Sequence, residues 1–262
     1  MEAKAASYQA LAKRLREAYA GGPVPPLRDV LAPADGAGAY EVQALNTAWW
    51  CGQGRRVIGR KIGLTAKTVQ AQLGVAQPDF GVLFADMRIA NEGSVSAARL
   101  LQPKVEGEVA LIFGQAVENP QCTLADVESA VQFVAPAIEV VDSRIAEWKI
   151  TFADTVADNG SSGLFALGSE RGFRKELDLW SCGMVLELND EVVSLGAGAA
   201  CLGHPLRAAH WLTRTLAERG DPIREGDIVL TGALGPMVAV RAGDRVRVSI
   251  GGLGRVEFAF TA

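Results

Sequence analysis

Histidine and cysteine are scarce in this 262-residue chain, with two of the first and four of the second. Cys51, Cys122, Cys182 and Cys201 stand far apart with no C-x-x-C pair, which excludes a zinc ribbon and a disulfide scaffold alike. They read as reduced, buried thiols. His204 and His210 both fall on one predicted helical segment, 204–219, so a serine hydrolase triad has no support. Long hydrophobic runs are missing as well: nothing approaches the roughly 18 apolar residues of a membrane span. The opening MEAKAASYQALAKRLREAYAGG mixes acids with bases and lacks the apolar core and cleavage site of a signal peptide. A cytoplasmic protein is expected. Neither sign of charge dominates, with 26 Lys and Arg against 30 Asp and Glu, and no block of like charge leaves a nucleic-acid footprint. Gly196-Ala197-Gly198 lacks the third glycine and the strand-then-helix context of a dinucleotide site, so NAD is discounted.

What is present is a globular chain, 49% apolar and 21% charged, long enough for one large domain or two small ones. Tyr8, Leu11, Leu15 and Tyr19 recur at helical spacing until Gly21-Gly22, Pro23, Pro25 and Pro26 stop the helix and begin an extended linker. A second helix is predicted from about Ala39 to Trp50. Residues 1–52 therefore read as an N-terminal helical segment and 53–262 as a mixed-sheet domain. From Arg56 onward, short β-branched runs alternate with turn residues: RRVIGRKIGL, KVEGEVALIF, APAIEVV, GMVLELN, DIVLTG and DRVRVSI. Two helices are expected to interrupt them. TLADVESAVQFV opens on a capping-box-like Thr123 and Asp126, and PLRAAHWLTRTLAER is bracketed by Pro205 and Gly220. Because helices do not alternate strictly with strands, an α+β fold with a mixed sheet is favoured over a doubly wound or barrel α/β fold.

The strand Lys104-Val105-Glu106-Gly107-Glu108-Val109-Ala110-Leu111-Ile112-Phe113 is the most informative segment. Period-two alternation puts Val105, Val109 and Leu111 on one face and Glu106 and Glu108 on the other. Two carboxylates about 7 Å apart on one strand face repel unless a cation or basic side chains sit between them. An edge strand with its acids in water is the plain alternative, but the acid-bearing face continues into Ala110 and Ile112, as a buried face does. A third acid, Glu139, stands in the apolar run APAIEVV, where a charge is not expected without a partner. Three carboxylates without sulfur or imidazole make a hard oxygen site of the kind that selects Mg2+ or Mn2+. The competing reading pairs these acids with Arg144, Arg60 or Lys104.

Two further segments carry polar chemistry. In Asp154-Thr155-Val156-Ala157-Asp158-Asn159-Gly160-Ser161-Ser162-Gly163 small and polar residues dominate, as in a loop that offers hydroxyls and backbone N–H groups to an anion. Arg60 and Lys61, adjacent on a predicted strand, point to opposite faces, so one can face water while the other turns inward. An inward lysine would anchor a carboxylate or, with its pKa depressed by burial and a metal charge, carry a proton. Asp79, in the turn Gln77-Pro78-Asp79-Phe80-Gly81, reads equally as structural or catalytic.

Taken together, GRKIGLT (59–65), QPDFGVLFADM (77–87), QPKVEGEVAL (102–111), APAIEVVDSRI (135–145), DTVADNGSSG (154–163), LGHPLRAAHWL (202–212) and GDIVLTGALGPM (226–237) closely resemble the 2-hydroxypenta-2,4-dienoate hydratases of aromatic meta-cleavage pathways. These are members of the fumarylacetoacetate hydrolase superfamily, and the likeness spans nearly the whole chain. It implies a mixed sheet rolled into a barrel-like body, a divalent metal and a homo-oligomer; an aldolase or decarboxylase of the pathway is a candidate partner that the sequence leaves open. The family's metal positions fall on Glu106, Glu108 and Glu139; its substrate and proton-transfer positions fall on Lys61, Asp79 and Ser161. Gly160 departs from the alanine that similar sequences often carry. The implied activity is hydration of 2-hydroxypenta-2,4-dienoate to 4-hydroxy-2-oxopentanoate. The alternatives are a 4-oxalocrotonate-type decarboxylase, which shares the paired glutamates and the D-N-x-S loop, and a non-catalytic relative that binds a keto-acid.

Overall fold

A computed structural model describes residues 2–262. The helix Glu2–Gly21 buries Tyr8, Leu11, Ala12, Leu15 and Ala18, one stripe at three- and four-residue spacing. It stops at Gly22, whose φ of +90° a helix cannot continue. The proline-rich segment after it is tied down: Val24 donates to the Arg144 carbonyl at 2.8 Å and accepts from Ala146 at 2.8 Å. The second helix, Gly36–Gly52, begins three residues earlier than expected, because the Asp35 carboxylate accepts from Gly38 N–H at 2.9 Å and caps it.

The remaining chain is an α+β body with a curled mixed sheet. Its larger sheet runs Asp79–Phe84, Val57–Gly63, Ile228–Ala233, Lys104–Phe113, Val131–Val141, Ser162–Leu167, Arg88–Ile89. Val238–Ala239 adds to Lys104–Phe113 and Arg171–Gly172 adds to Val131–Val141, making nine strands. Val57–Gly63 runs parallel to Ile228–Ala233, and Arg88–Ile89 parallel to Ser162–Leu167; the other pairings are antiparallel. A second sheet of five strands runs Glu191–Ala197, Gly183–Leu188, Arg245–Ile250, Gly254–Thr261, Gly93–Ser96. It covers one face of the first: a Cβ on Gly107 would lie 2.9 Å from Met184 Cγ and 3.1 Å from Val248 Cγ1. Val105, Gly107 and Val109 therefore face the second sheet, and the acidic side of the same strand is turned to the opposite face.

The expected helix TLADVESAVQFV is shorter in the structure. Thr123 and Asp126 do form a capping box, but the helix spans only Leu124–Ala130, and Val131 begins the strand Val131–Val141. Phe133 and Val134 pair with Ile112 and Leu111, so sheet pairing overrides the local helical pattern. The segment expected as a loop from Asp154 is half helical, Phe152–Ala157, because Thr151 and Asp154 make a second capping box. The helix Pro205–Glu218 forms as expected, with His204 as its cap: Nδ1 accepts from Leu206 N–H at 3.1 Å. His210 is also structural, its Nε2 lying 2.8 Å from the Cys122 carbonyl. Cys122, Cys182 and Cys201 are buried free thiols, whereas Cys51, near the end of its helix, is exposed, contrary to expectation. No helix among the described residues is long and apolar enough to cross a membrane.

Candidate active site

Sheet register alone gathers the five charged candidates. Glu106 lies directly opposite Glu139 across the antiparallel pair, and Glu108 follows two residues along on the same side. Ala110, two residues further, aligns with Leu230, which aligns with Lys61. Lys61 in turn lies opposite Gly81, and Gly63 opposite Asp79. Aligned partners share a face, so Lys61, Asp79, Glu106, Glu108 and Glu139 all project from the face turned away from the second sheet. Lys61, Asp79, Glu108 and Glu139 are buried, and Glu106 is half-buried at one end of the row.

Lys61 is the cation at the centre. Its Nζ lies 3.1 Å from Glu139 Oε1, a buried ion pair whose alignment falls short of a hydrogen bond. The three alternative cations are engaged elsewhere. Arg60, on the other face, pairs with Asp221 and is itself buried rather than in water. Arg144 binds Asp158, and Lys104 Nζ sits 4.4 Å from the Trp148 ring centroid. Burial would lower the pKa of Lys61, but the charges of Glu139, Asp79, Glu106 and Glu108 outweigh it and hold the ammonium above its ordinary value. Among the protein's own groups this reverses the depressed pKa expected for an inward lysine.

One ammonium cannot balance four carboxyls. Burial, reinforced by Glu139, pushes Glu106 up to about 7, and burial with Glu139 and Glu106 raises Glu108 well above its ordinary value. Glu139 and Asp79 are raised too, chiefly by burial and against the pull of Lys61. Glu108 Oε2 accepts from Gly232 N–H at 2.7 Å. Glu108 Oε1, Glu139 Oε1 and Asp79 Oδ1 are buried without a hydrogen-bond partner among the described residues. Surplus negative charge and unpartnered hard oxygens fit a divalent cation. Among the described residues no three acidic, histidine or cysteine side chains already converge on a common point. The fit therefore rests on the chemistry of the donors rather than on a finished coordination shell.

Ser161 reaches the same region from a turn. Asn159–Ser161 links the helix Phe152–Ala157 to the strand Ser162–Leu167, and Ser161 is buried. Its Oγ lies 3.3 Å from Thr155 Oγ1, and the Thr155 hydroxyl is among the groups that favour the charged form of Asp79 against burial. A Cβ on Gly160 would lie 3.3 Å from Lys61 Cδ, which puts the turn against the lysine. Thr155 and Asn159 belong to this constellation although sequence reasoning assigned them no role. Both lie in the DTVADNGSSG run, but no spacing rule separates them from their polar neighbours.

Residues 55–261 match the family model described as fumarylacetoacetate (FAA) hydrolase C-terminal. The chain is 55% identical over 253 residues to 2-keto-4-pentenoate hydratase 2 of Dechloromonas aromatica (strain RCB), covering 96% of this chain and 97% of the relative. It is 50% identical over 256 residues to the 2-keto-4-pentenoate hydratase of Burkholderia vietnamiensis (strain G4 / LMG 22486), covering 97% and 98%. Among solved structures, 4-oxalocrotonate decarboxylase from Pseudomonas putida G7, complexed with magnesium and adipate, is similar with a TM-score of 0.91 and 36% identity over 97% of each chain. With the family model spanning the sheet body and relatives matching it almost end to end, this chain belongs to the fumarylacetoacetate hydrolase superfamily and, within it, to the family of the 2-keto-4-pentenoate hydratases.

Proposed function

We propose that this protein is a divalent-metal-dependent hydratase that adds water to 2-hydroxypenta-2,4-dienoate to give 4-hydroxy-2-oxopentanoate. The observation that carries the reading is the single sheet face bearing Glu106, Glu108, Glu139, Lys61 and Asp79, with buried carboxylate oxygens left unpartnered. Glu106, Glu108 and Glu139 would hold Mg2+ or Mn2+, which supplies Lewis acidity toward the substrate's carboxylate and C2 oxygen.

The chain's own groups account for the proton movements. Conversion of the dienol to the 2-oxo-3-enoate puts a proton on C5, after which water adds at C4 and C3 is protonated. Lys61, kept charged by its acidic neighbours, donates from Nζ to the negative charge that gathers on the C2 oxygen and carboxylate. Asp79 holds its proton more tightly than a solvated carboxyl and keeps Oδ1 free, which suits it to exchange a proton with substrate or water. The Thr155–Ser161 hydroxyl pair, whose Thr155 acts on the Asp79 charge, positions the water. A pathway aldolase or decarboxylase as partner, and a homo-oligomeric assembly, belong to the same proposal; Val192, Val193 and Leu195 on an edge strand are apolar and exposed, which suits an assembly contact.

The test follows the ultraviolet loss of the conjugated dienol in metal-stripped protein before and after magnesium or manganese, with the product identified by mass. Metal-dependent gain of one water is expected. Loss of carbon dioxide from a 2-oxo dicarboxylate without hydration of the dienoate would replace this reading with a decarboxylase, and binding without turnover would replace it with a keto-acid-binding protein. Lys61→Met should cut kcat by about 100-fold or more, as loss of a buried charge aimed at developing negative charge does. Magnesium should still bind, measured by calorimetry, and unchanged kinetics would remove Lys61 from the mechanism.

A further inference from the structure

Three consecutive residues, Asn159, Gly160 and Ser161, have φ of +57°, +62° and +53°. That is a turn of left-handed helix in which two residues are not glycine. L-residues avoid this region because Cβ crowds the following carbonyl, and Asn tolerates it better than Ser. The surroundings must therefore impose the turn that delivers Ser161.

The Asn159 side chain does so from one side. Its Oδ1 accepts from Val82 N–H at 2.7 Å and its Nδ2 donates to the Val82 carbonyl at 2.9 Å. Val82 belongs to Asp79–Phe84, which is at the edge of the larger sheet and, among the described residues, pairs only with Val57–Gly63. A carboxamide carries a donor and an acceptor in one plane, as a peptide group does, so Asn159 completes this free edge in place of another strand. Contact is direct: a Cβ on Gly81 would lie 2.1 Å from the Asn159 carbonyl oxygen. On the other side, fully buried Arg144 grips the residues flanking the turn. It donates to Asp158 Oδ1 at 2.6 Å, to the Asp158 carbonyl at 2.9 Å and to the Ser162 carbonyl at 3.0 Å.

Three candidate side chains depend on this junction. Asp79 opens the docked strand, Lys61 lies opposite Gly81 on the next, and Ser161 closes the turn. We propose that Asn159 is a positioning residue for the reaction: its carboxamide, docked on Val82, holds the left-handed turn in register with the Asp79 strand, so that the Ser161 hydroxyl is presented to Asp79 and Lys61. The proposal rests on the hydratase reading and adds a residue that does not touch substrate.

Asn159→Gly keeps a residue at ease with positive φ and removes the carboxamide. Asn159→Asp keeps the shape and replaces the donor facing the Val82 carbonyl with an oxygen. Two measurements are made on each full-length variant. Hydrogen exchange at the Val82 amide should speed up about tenfold or more in Asn159→Gly, where its acceptor is gone, and less in Asn159→Asp, where a carboxylate oxygen still accepts but faces the Val82 carbonyl, while amides of Val57–Gly63 keep wild-type protection in both. With magnesium and the dienoate, kcat should fall about 10- to 100-fold with KM changed by less than about threefold, the mark of lost alignment. In a Ser161→Ala background the same substitution should cost almost nothing further, because Asn159 acts through Ser161. A residue that serves only the fold would lower Tm and leave kcat per folded molecule unchanged in either background. Unchanged Val82 exchange in Asn159→Gly, unchanged kcat, or a kcat loss that adds in full to that of Ser161→Ala overturns the proposal. An inactive wild type overturns the hydratase reading instead, and Val82 exchange then decides for or against the docking of Asn159 by itself.

Discussion

Glu106 offers the sharpest quantitative handle on the acidic row. In the unfolded chain its carboxyl titrates near 4.5, and in the folded protein burial and Glu139 push it up to about 7. The folded state thus keeps a proton that the unfolded state has released, so this group's contribution is full below 4.5 and is lost as pH rises through 7. A shift of this size corresponds to about 3 kcal/mol in a dry site, and about half of that for a carboxyl partly open to water. For a chain of this length it predicts a Tm lower by about 3–6 °C at pH 8 than at pH 5 from Glu106 alone. The assay is thermal unfolding followed by circular dichroism in chelator across pH 5–8, with wild type and Glu106→Gln side by side. The comparison cancels other groups that titrate in the window, notably Asp158, which burial pushes up to about 6, and His204, which burial lowers. Glu106→Gln should flatten the profile relative to wild type. Added magnesium should raise Tm more at pH 8 than at pH 5 and release protons on binding, measured calorimetrically in buffers of different ionisation enthalpy. Parallel profiles for the two proteins, or stronger magnesium stabilisation at pH 5, would refute the reasoning.

Other positions give independent checks. Gly160→Ala places a methyl group 3.3 Å from Lys61 Cδ and from Gly81 N at a φ of +62°; a loss of about 1–2 kcal/mol from the left-handed backbone is expected in denaturant unfolding. Because the crowding falls on Lys61, kcat should drop more than KM rises, and a variant with wild-type stability and turnover would show that the turn has slack. Arg144→Met strands the buried Asp158 carboxylate and should cost about 3–5 kcal/mol. Its denaturation midpoint measures this, and a change below about 1 kcal/mol would mean that the guanidinium is not the clamp behind the turn.

Local signals in the chain were legible where they depend on few residues. Period two alone separates Val105 and Val109 from Glu106 and Glu108, and the second sheet does cover the apolar side. Thr123 with Asp126 marks a true helix start. The end of that helix was not legible, since Val131–Val134 satisfy a helical pattern equally well and only pairing with Leu111–Phe113 settles them as strand. The helix inside DTVADNGSSG was hidden for a similar reason: its cap is Thr151, outside the polar run.

By itself the sequence determined the class of fold, the residue types available for chemistry and the pairing of two acids on one strand face, because these follow from periodicity, capping and composition. Tertiary structure alone decided which groups meet. Glu139 faces Glu106 only through the antiparallel register, and Lys61 and Asp79 join them only because Ile228–Ala233, far along the chain, inserts between their strands and Lys104–Phe113. That same strand order chose Lys61 over Arg60, Arg144 and Lys104 as the partner of Glu139. Ion pairing between residues far apart in sequence depends on distance and burial in three dimensions, and neither quantity is encoded in the spacing of residues along the chain.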